Sequence, residues 1–249
     1  MTYVPERANL PLPPSFTRHA AGRPWLSALK DHIAATTMEA AADIWKPLGE
    51  NQKPYYNYRL EHILQVERDA LTISNVERCD IDVLLAAVWA HDRYQPQFNG
   101  ENHAERAALW AKDYLKFIRF PENRIPAVCQ AIRMHNVKSM DIPEDMREAR
   151  ILWDADHVSR VGPADIINYV LCHSAEDFLA DLPNNPQFPS GAVTVHDFLP
   201  LMLERRPQMY RADWFYYDET RRMARERISA SRAFLDCLEK QTTCLERQS

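Results

Sequence analysis

The sequence predicts an all-α fold, and three observations carry that expectation. Apolar residues recur at three- and four-residue intervals in one segment after another. Sustained period-two alternation, the mark of a half-buried strand, is absent. Only five glycines occur in 249 residues, and they and the prolines punctuate the periodic segments instead of interrupting them. With 46% hydrophobic and 26% charged residues the balance is that of an ordinary globular chain, long enough to bury a real core.

The elements follow in order. Residues 1–24 contain Pro5, Pro11, Pro13, Pro14 and Pro24, and the run Leu10-Pro11-Leu12-Pro13-Pro14 cannot be helical. An extended Pro-rich N-terminal arm is expected there, with a proline-rich ligand for another domain as the alternative. A single helical domain is expected over 25–249, with helices near 25–46, 57–74, 80–92, 103–118, 125–135, 144–161, 163–180, 195–206 and 218–240. Pro126, Pro143 and Pro163 stand at or near helix starts, where a missing N–H costs little. Gly162 followed by Pro163 reads as a stop and restart. Residues 181–194 form the one long irregular insertion, either a lid or a plain surface loop.

Composition excludes several classes. A formal charge of −5 and a pI near 6.0 argue against a binder of nucleic-acid duplexes, which would be basic. A local cationic pocket for a small anion remains compatible with that charge. Cys79, Cys129, Cys172, Cys237 and Cys244 are odd in number and contain no C-x-x-C pair, which suits a reducing compartment and neither a disulfide frame nor a zinc knuckle. Neither a secretory signal nor an apolar run of membrane-spanning length is read, so a cytoplasmic, non-membrane protein is expected. The sequence does not set an oligomeric state.

The chemistry centres on Leu84-Leu85-Ala86-Ala87-Val88-Trp89-Ala90-His91-Asp92-Arg93-Tyr94. Ile81, Leu84/Leu85 and Val88 mark an inward stripe, and continuing it lands on His91 and Asp92. Taken alone, a helix-end Asp is more often a cap. An ionised carboxylate aimed at a core, however, needs a partner or a metal. His62 shares a face with Val66, Asp69/Ala70 and Ile73, and alone it reads as a hydrogen-bonded core histidine. His135 follows Val128 and Ala131/Ile132, where a helix C-terminus by itself favours histidine. In Ile151-Leu152-Trp153-Asp154-Ala155-Asp156-His157-Val158, Asp156 continues the apolar stripe of Ala149 and Leu152/Trp153. Two histidines and two aspartates from separate helices make a mixed N/O donor set. That set suits Mn, Fe, Co, Ni or Zn, with Mg possible if water completes the shell.

In this order the residues resemble the HD superfamily of metal-dependent phosphohydrolases, of the small bacterial HD-domain type. The match runs over about 56–164: Tyr56-Asn57-Tyr58-Arg59-Leu60-Glu61-His62, then Ala86-Ala87-Val88-Trp89-Ala90-His91-Asp92, then His103, then Ala131-Ile132-Arg133-Met134-His135, then Leu152-Trp153-Asp154-Ala155-Asp156. Ala224-Arg225-Glu226-Arg227 with Phe234-Leu235 is similar to the closing helix of those members. The resemblance implies an all-helical fold and a divalent metal held by His62, His91, Asp92 and Asp156, with Asp154 supporting a ligand or a helix contact. Two positions depart from the pattern. His157 stands where many members carry a basic residue after the last metal-binding Asp, and Gln65 replaces the Arg often found before the valine of the first motif.

The expected activity is hydrolysis of a phosphate ester or anhydride in a small molecule, foremost a nucleotide. Asp92 would orient water, and His103 and His135 would protonate a leaving oxygen, bind phosphate or hold a second metal. Arg59, Arg93, Lys138 and His157 are the candidate phosphate contacts. Two alternatives stand beside this reading: an HD-type di-iron oxygenase using His103 and His135, and a non-catalytic metal- or nucleotide-binding domain.

Overall fold

The computed structural model describes residues 19–45, 57–94, 102–137, 140–168 and 211–246. The arm up to residue 18, the insertion at 181–194, the helix expected at 195–206 and Lys138 lie outside the described residues. Within them every regular element is a helix. These are α1 (Pro24–Trp45), α2 (Tyr58–Ser74), α3 (Ile81–Ala90), α4 (His103–Phe117), a 3-10 turn (Glu122–Arg124), α5 (Ile125–Met134), α6 (Arg147–Ser159) and α7 (Asp218–Glu246). Residues 163–168 are also helical.

Local chemistry sets the starts. Asn57 caps α2 by accepting from the Leu60 N–H at 3.1 Å. Asp80 caps α3 through Asp82 and Val83, and Asn102 caps α4 through the Glu105 N–H at 3.2 Å. Each side-chain oxygen satisfies an otherwise orphaned amide of a first turn. The end of α4 carries no glycine signal. Arg119 takes the left-handed position (φ 60°), and the Phe120 N–H returns to the Leu115 carbonyl at 2.9 Å. Phe120, 2% exposed, supplies the apolar contact that closes this Schellman arrangement. Gly162 does need to be glycine. Its φ is +117°, and a Cβ there would touch the Arg227 side chain at 3.4 Å.

One helix differs in character from its sequence pattern. The stripe on α3 suggested one buried face, yet Val83 through Ala90 are buried on every side. The cause is position: α3 packs against α1, α2, α4, α5 and α6 together. A helix enclosed in this way has no wet face to keep polar. Around it α2 pairs with α6, and α4 with α5. Trp89 and Trp153, both fully buried, fill the space between these layers. α7 closes the bundle over α6, where Arg227 grips both oxygens of Asp69 at 2.6 and 2.7 Å and the Val158 carbonyl at 2.8 Å.

Candidate metal centre

Four of the helices around α3's end deliver polar side chains to one point. α2 brings His62 from near its start, and α3 ends so that His91 is its C-cap with Asp92 next. α4 opens with His103, α5 has His135 as its C-cap, and α6 brings Asp156 from its last turn. Helix ends meeting at the centre of the bundle explain why so many chemically active residues sit at boundaries of apolar segments.

Asp92 is the hub. Its Oδ2 lies 3.5 Å from His62 Nε2 and 3.6 Å from His91 Nε2. Its Oδ1 lies 3.5 Å from His135 Nε2 and 3.8 Å from His103 Nε2. One carboxylate therefore belongs to two adjacent groups with metal-ligating spacing, His62–His91–Asp92 and Asp92–His103–His135. Asp156 stands on the His62 side, with Oδ1 3.1 Å from His62 Nε2 and 3.9 Å from His91 Nε2.

The outer ring nitrogens show which face each imidazole presents. His91 Nδ1 donates to the Val88 carbonyl at 2.7 Å, and His135 Nδ1 donates to the Ile132 carbonyl at 2.6 Å. The Ser159 hydroxyl donates to the Asp156 carbonyl at 2.7 Å, so it accepts the longer 3.4 Å contact from His62 Nδ1. In the neutral ring each Nε2 then turns a lone pair toward the carboxylates. His62 Nε2, His91 Nε2 and Asp92 Oδ1 are buried without a hydrogen-bond partner. Lone pairs facing carboxylate oxygens repel unless a cation lies between them, so the donors present fit a divalent ion.

The electrostatics differ between the two sides of Asp92. Burial pushes His91 down to about 4 against the pull of Asp92, so it is neutral near pH 7. Burial alone would raise Asp92, but the surrounding His91, His135 and His62 outweigh it and hold the carboxyl well below its usual range. Asp156 is likewise held low despite burial, chiefly by Arg160 and His62. His103 is lowered by burial. His135 is buried too, yet its contact with Asp92 reverses the sign and raises it.

The candidate phosphate contacts separate. Arg59 Nη2 donates to the Asp92 backbone carbonyl at 2.8 Å and so clamps the His-Asp segment. Arg93 lies over the rings of Tyr94 and Trp110, at 5.0 and 5.5 Å. His157 stacks on Trp153 at 3.9 Å and donates from Nδ1 to the Trp153 carbonyl; burial brings it down to about 4. Asp154 points away from the centre and accepts the Tyr216 and Tyr217 N–H groups at 2.9 and 3.1 Å, a helix contact that seats the start of α7. Gln65 donates to the Ser159 carbonyl at 3.2 Å and ties α2 to the end of α6. Arg160 was missed by sequence reasoning. Its Nη2 bonds both Asp156 oxygens at 2.9 and 3.0 Å, and the Asp-x-x-x-Arg spacing on a helix was the signal for it.

No family model and no curated protein matches the chain. Solved structures do share its fold. A protein of Lactobacillus plantarum superposes with a TM-score of 0.58 at 15% identity, covering 89% of this chain and 98% of that one. An HD-superfamily hydrolase from Bacillus thuringiensis gives 0.52 at 17% identity, covering 86% and 98%. Bacillus subtilis YpgQ, solved in complex with ADP, gives 0.51 at 16% identity, covering 73% and 88%. At these identities the likeness is one of architecture, and with it the chain takes the all-helical fold of the HD-superfamily hydrolases.

Proposed function

We propose that this protein is a metal-dependent phosphohydrolase acting on a phosphate ester or anhydride, foremost a nucleotide. The observation that carries the reading is the Asp92 carboxylate, each of whose oxygens faces a separate pair of histidines. In this reading His62, His91, Asp92 and Asp156 would hold one divalent ion, and Asp92, His103 and His135 could hold a second. A divalent ion bound there acidifies water and offsets negative charge on the attacked phosphoryl group.

The chain's own residues supply position and exclusion. Arg59 fixes the Asp92 backbone from which the shared carboxylate projects. The Val88 and Ile132 carbonyls lock the His91 and His135 tautomers. Apolar α3 walls off water from behind. Where only the first ion is bound, His103, the more accessible histidine of the second group (8% against 1% for His135), is free to reach a leaving oxygen. The choice of nucleotide is supported by YpgQ, which was solved with ADP. The test is release of phosphate or pyrophosphate from a nucleotide panel with Mn, Co, Ni or Mg. Metal-dependent release from at least one member is expected; a metal-loaded protein inert toward all of them would overturn the reading and favour a non-catalytic binding domain.

One observation favours a second reading. His103 Nε2 and His135 Nε2 lie 3.2 Å apart beside Asp92, which gives the second histidine pair that an HD-type di-iron oxygenase uses. Assays of iron- and manganese-loaded protein with and without dioxygen separate the two. Phosphate release that persists without oxygen supports the hydrolase; turnover that requires oxygen and two irons supports the oxygenase.

A further inference from the structure

Resting on the phosphohydrolase reading, we propose that Arg160 is the residue that grips the substrate's phosphoryl group, its guanidinium forming the cationic edge of the centre. Asp156 and Arg160 lie one turn apart on α6 and its C-cap, and Nη2 alone makes both bonds to the carboxylate, at 2.9 and 3.0 Å. Nε and Nη1 bond no other described residue. The Asp156 side chain is 2% exposed and that of Arg160 is 36% exposed, so the fork spans the boundary between the cluster and solvent. Its charge is felt at Asp92 on one side and at His103 on the other.

The other candidate cations near the centre make different contacts, with Arg93 keeping an unpartnered Nε. Arg59 serves the Asp92 carbonyl, Arg93 lies on Tyr94 and Trp110, and His157 is stacked on Trp153. A planar guanidinium with a free edge matches two phosphoryl oxygens, which a point charge does not. An Asp–Arg pair four residues apart on a helix is ordinarily a weak surface ion pair. Here its acid is buried against two histidines of the centre, and the arginine side chain is partly exposed beside it.

The rival role is structural: Arg160 could serve only to orient Asp156. Inorganic phosphate is the probe, titrated calorimetrically into the manganese-loaded full-length chain, with metal counted by elemental analysis. In Arg160→Gln, phosphate affinity should fall about 10- to 100-fold with metal content unchanged. Arg160→Lys keeps the charge and the helical pair but not the fork, so it should fold, hold metal and still bind phosphate several-fold more weakly. Loss of metal in both variants would assign Arg160 to holding Asp156 and overturn the proposal. Phosphate affinity unaffected by either substitution would overturn this assignment alone. A wild-type protein that binds manganese but no phosphate would overturn it together with the hydrolase reading.

Discussion

This chain buries charge in two different ways, and α2 takes part in both. In its second half Glu67 meets Lys30 at 2.7 Å, with side chains 4% and 1% exposed, and Asp69 meets Arg227 through two hydrogen bonds. There the buried carboxylate has a cation supplied by the chain, and Lys30 also lies 4.7 Å from the Trp89 ring. Near the start of the same helix, His62 faces Asp92 and Asp156 with an unpartnered Nε2. Asp156 has Arg160, but among the described residues the Asp92 carboxylate meets imidazoles alone. A sequence that closes its internal charges at Glu67 and Asp69 has left the Asp92 cluster open. Closed pairs hold the bundle together, and the open cluster has the donors that could hold a cation from solution.

The largest effect that distinguishes the two regions should come from Asp92→Ala. Both metal groups share this carboxylate, so elemental analysis should find almost no bound metal. Activity should fall well beyond the roughly 10–100-fold typical of a supporting residue. Full metal retention would erase the distinction between open and closed clusters. Lys30→Met should do the opposite. It leaves Glu67 buried without its cation, and denaturant melts should show a loss of about 3–5 kcal/mol while metal content is unchanged.

A finer comparison lies within α6. Asp156 faces the histidines, whereas Asp154 faces the Tyr216 and Tyr217 amides. Asp156→Asn should therefore lose metal affinity far more than Asp154→Asn. The reverse order would put the ligand two residues away from where it is assigned. Asp154 has its own signature in pH. Burial pushes its carboxyl up from 3.8 to about 7 against the hydrogen bonds it accepts. The folded state then binds more protons than the unfolded state between those values. Its contribution to stability is full below about pH 4 and is lost as pH rises toward 7, with a limiting slope of about 1.4 kcal/mol per pH unit. Metal-free wild type, melted from pH 4 to 8, should lose stability relative to Asp154→Asn as pH rises. A wild type that gains on the variant as pH rises would contradict this sign.

The sequence made the helices legible because their apolar periods are long and their breaks are chemically marked, as at Pro126, Pro143 and Gly162-Pro163. It also brought His62, His91, Asp92, His135 and Asp156 forward, because polar side chains on apolar stripes stand out. What it could not show depends on tertiary packing. The α4 terminus at Arg119 needs a backbone conformation that its residue type does not advertise. The enclosure of α3 depends on five neighbouring helices. The link between His103 and the other ligands rests on a position at the first residue of α4, where no stripe precedes it. The sharing of Asp92 by two histidine pairs joins residues 62 to 135, a span that local periodicity cannot measure. Arg59 and Arg93 were legible as cations near the motif, but only packing shows that one holds a carbonyl and the other lies on aromatic rings.

The most direct test is to locate metal in manganese-loaded crystals of wild type, His62→Ala and His135→Ala by anomalous diffraction. If Asp92 is shared by two metal sites as proposed, the wild type should hold about two ions, His62→Ala should lose the one on the Oδ2 side and His135→Ala the one on the Oδ1 side. A wild type without metal at Asp92, or a His135→Ala variant with the same two peaks, would contradict it.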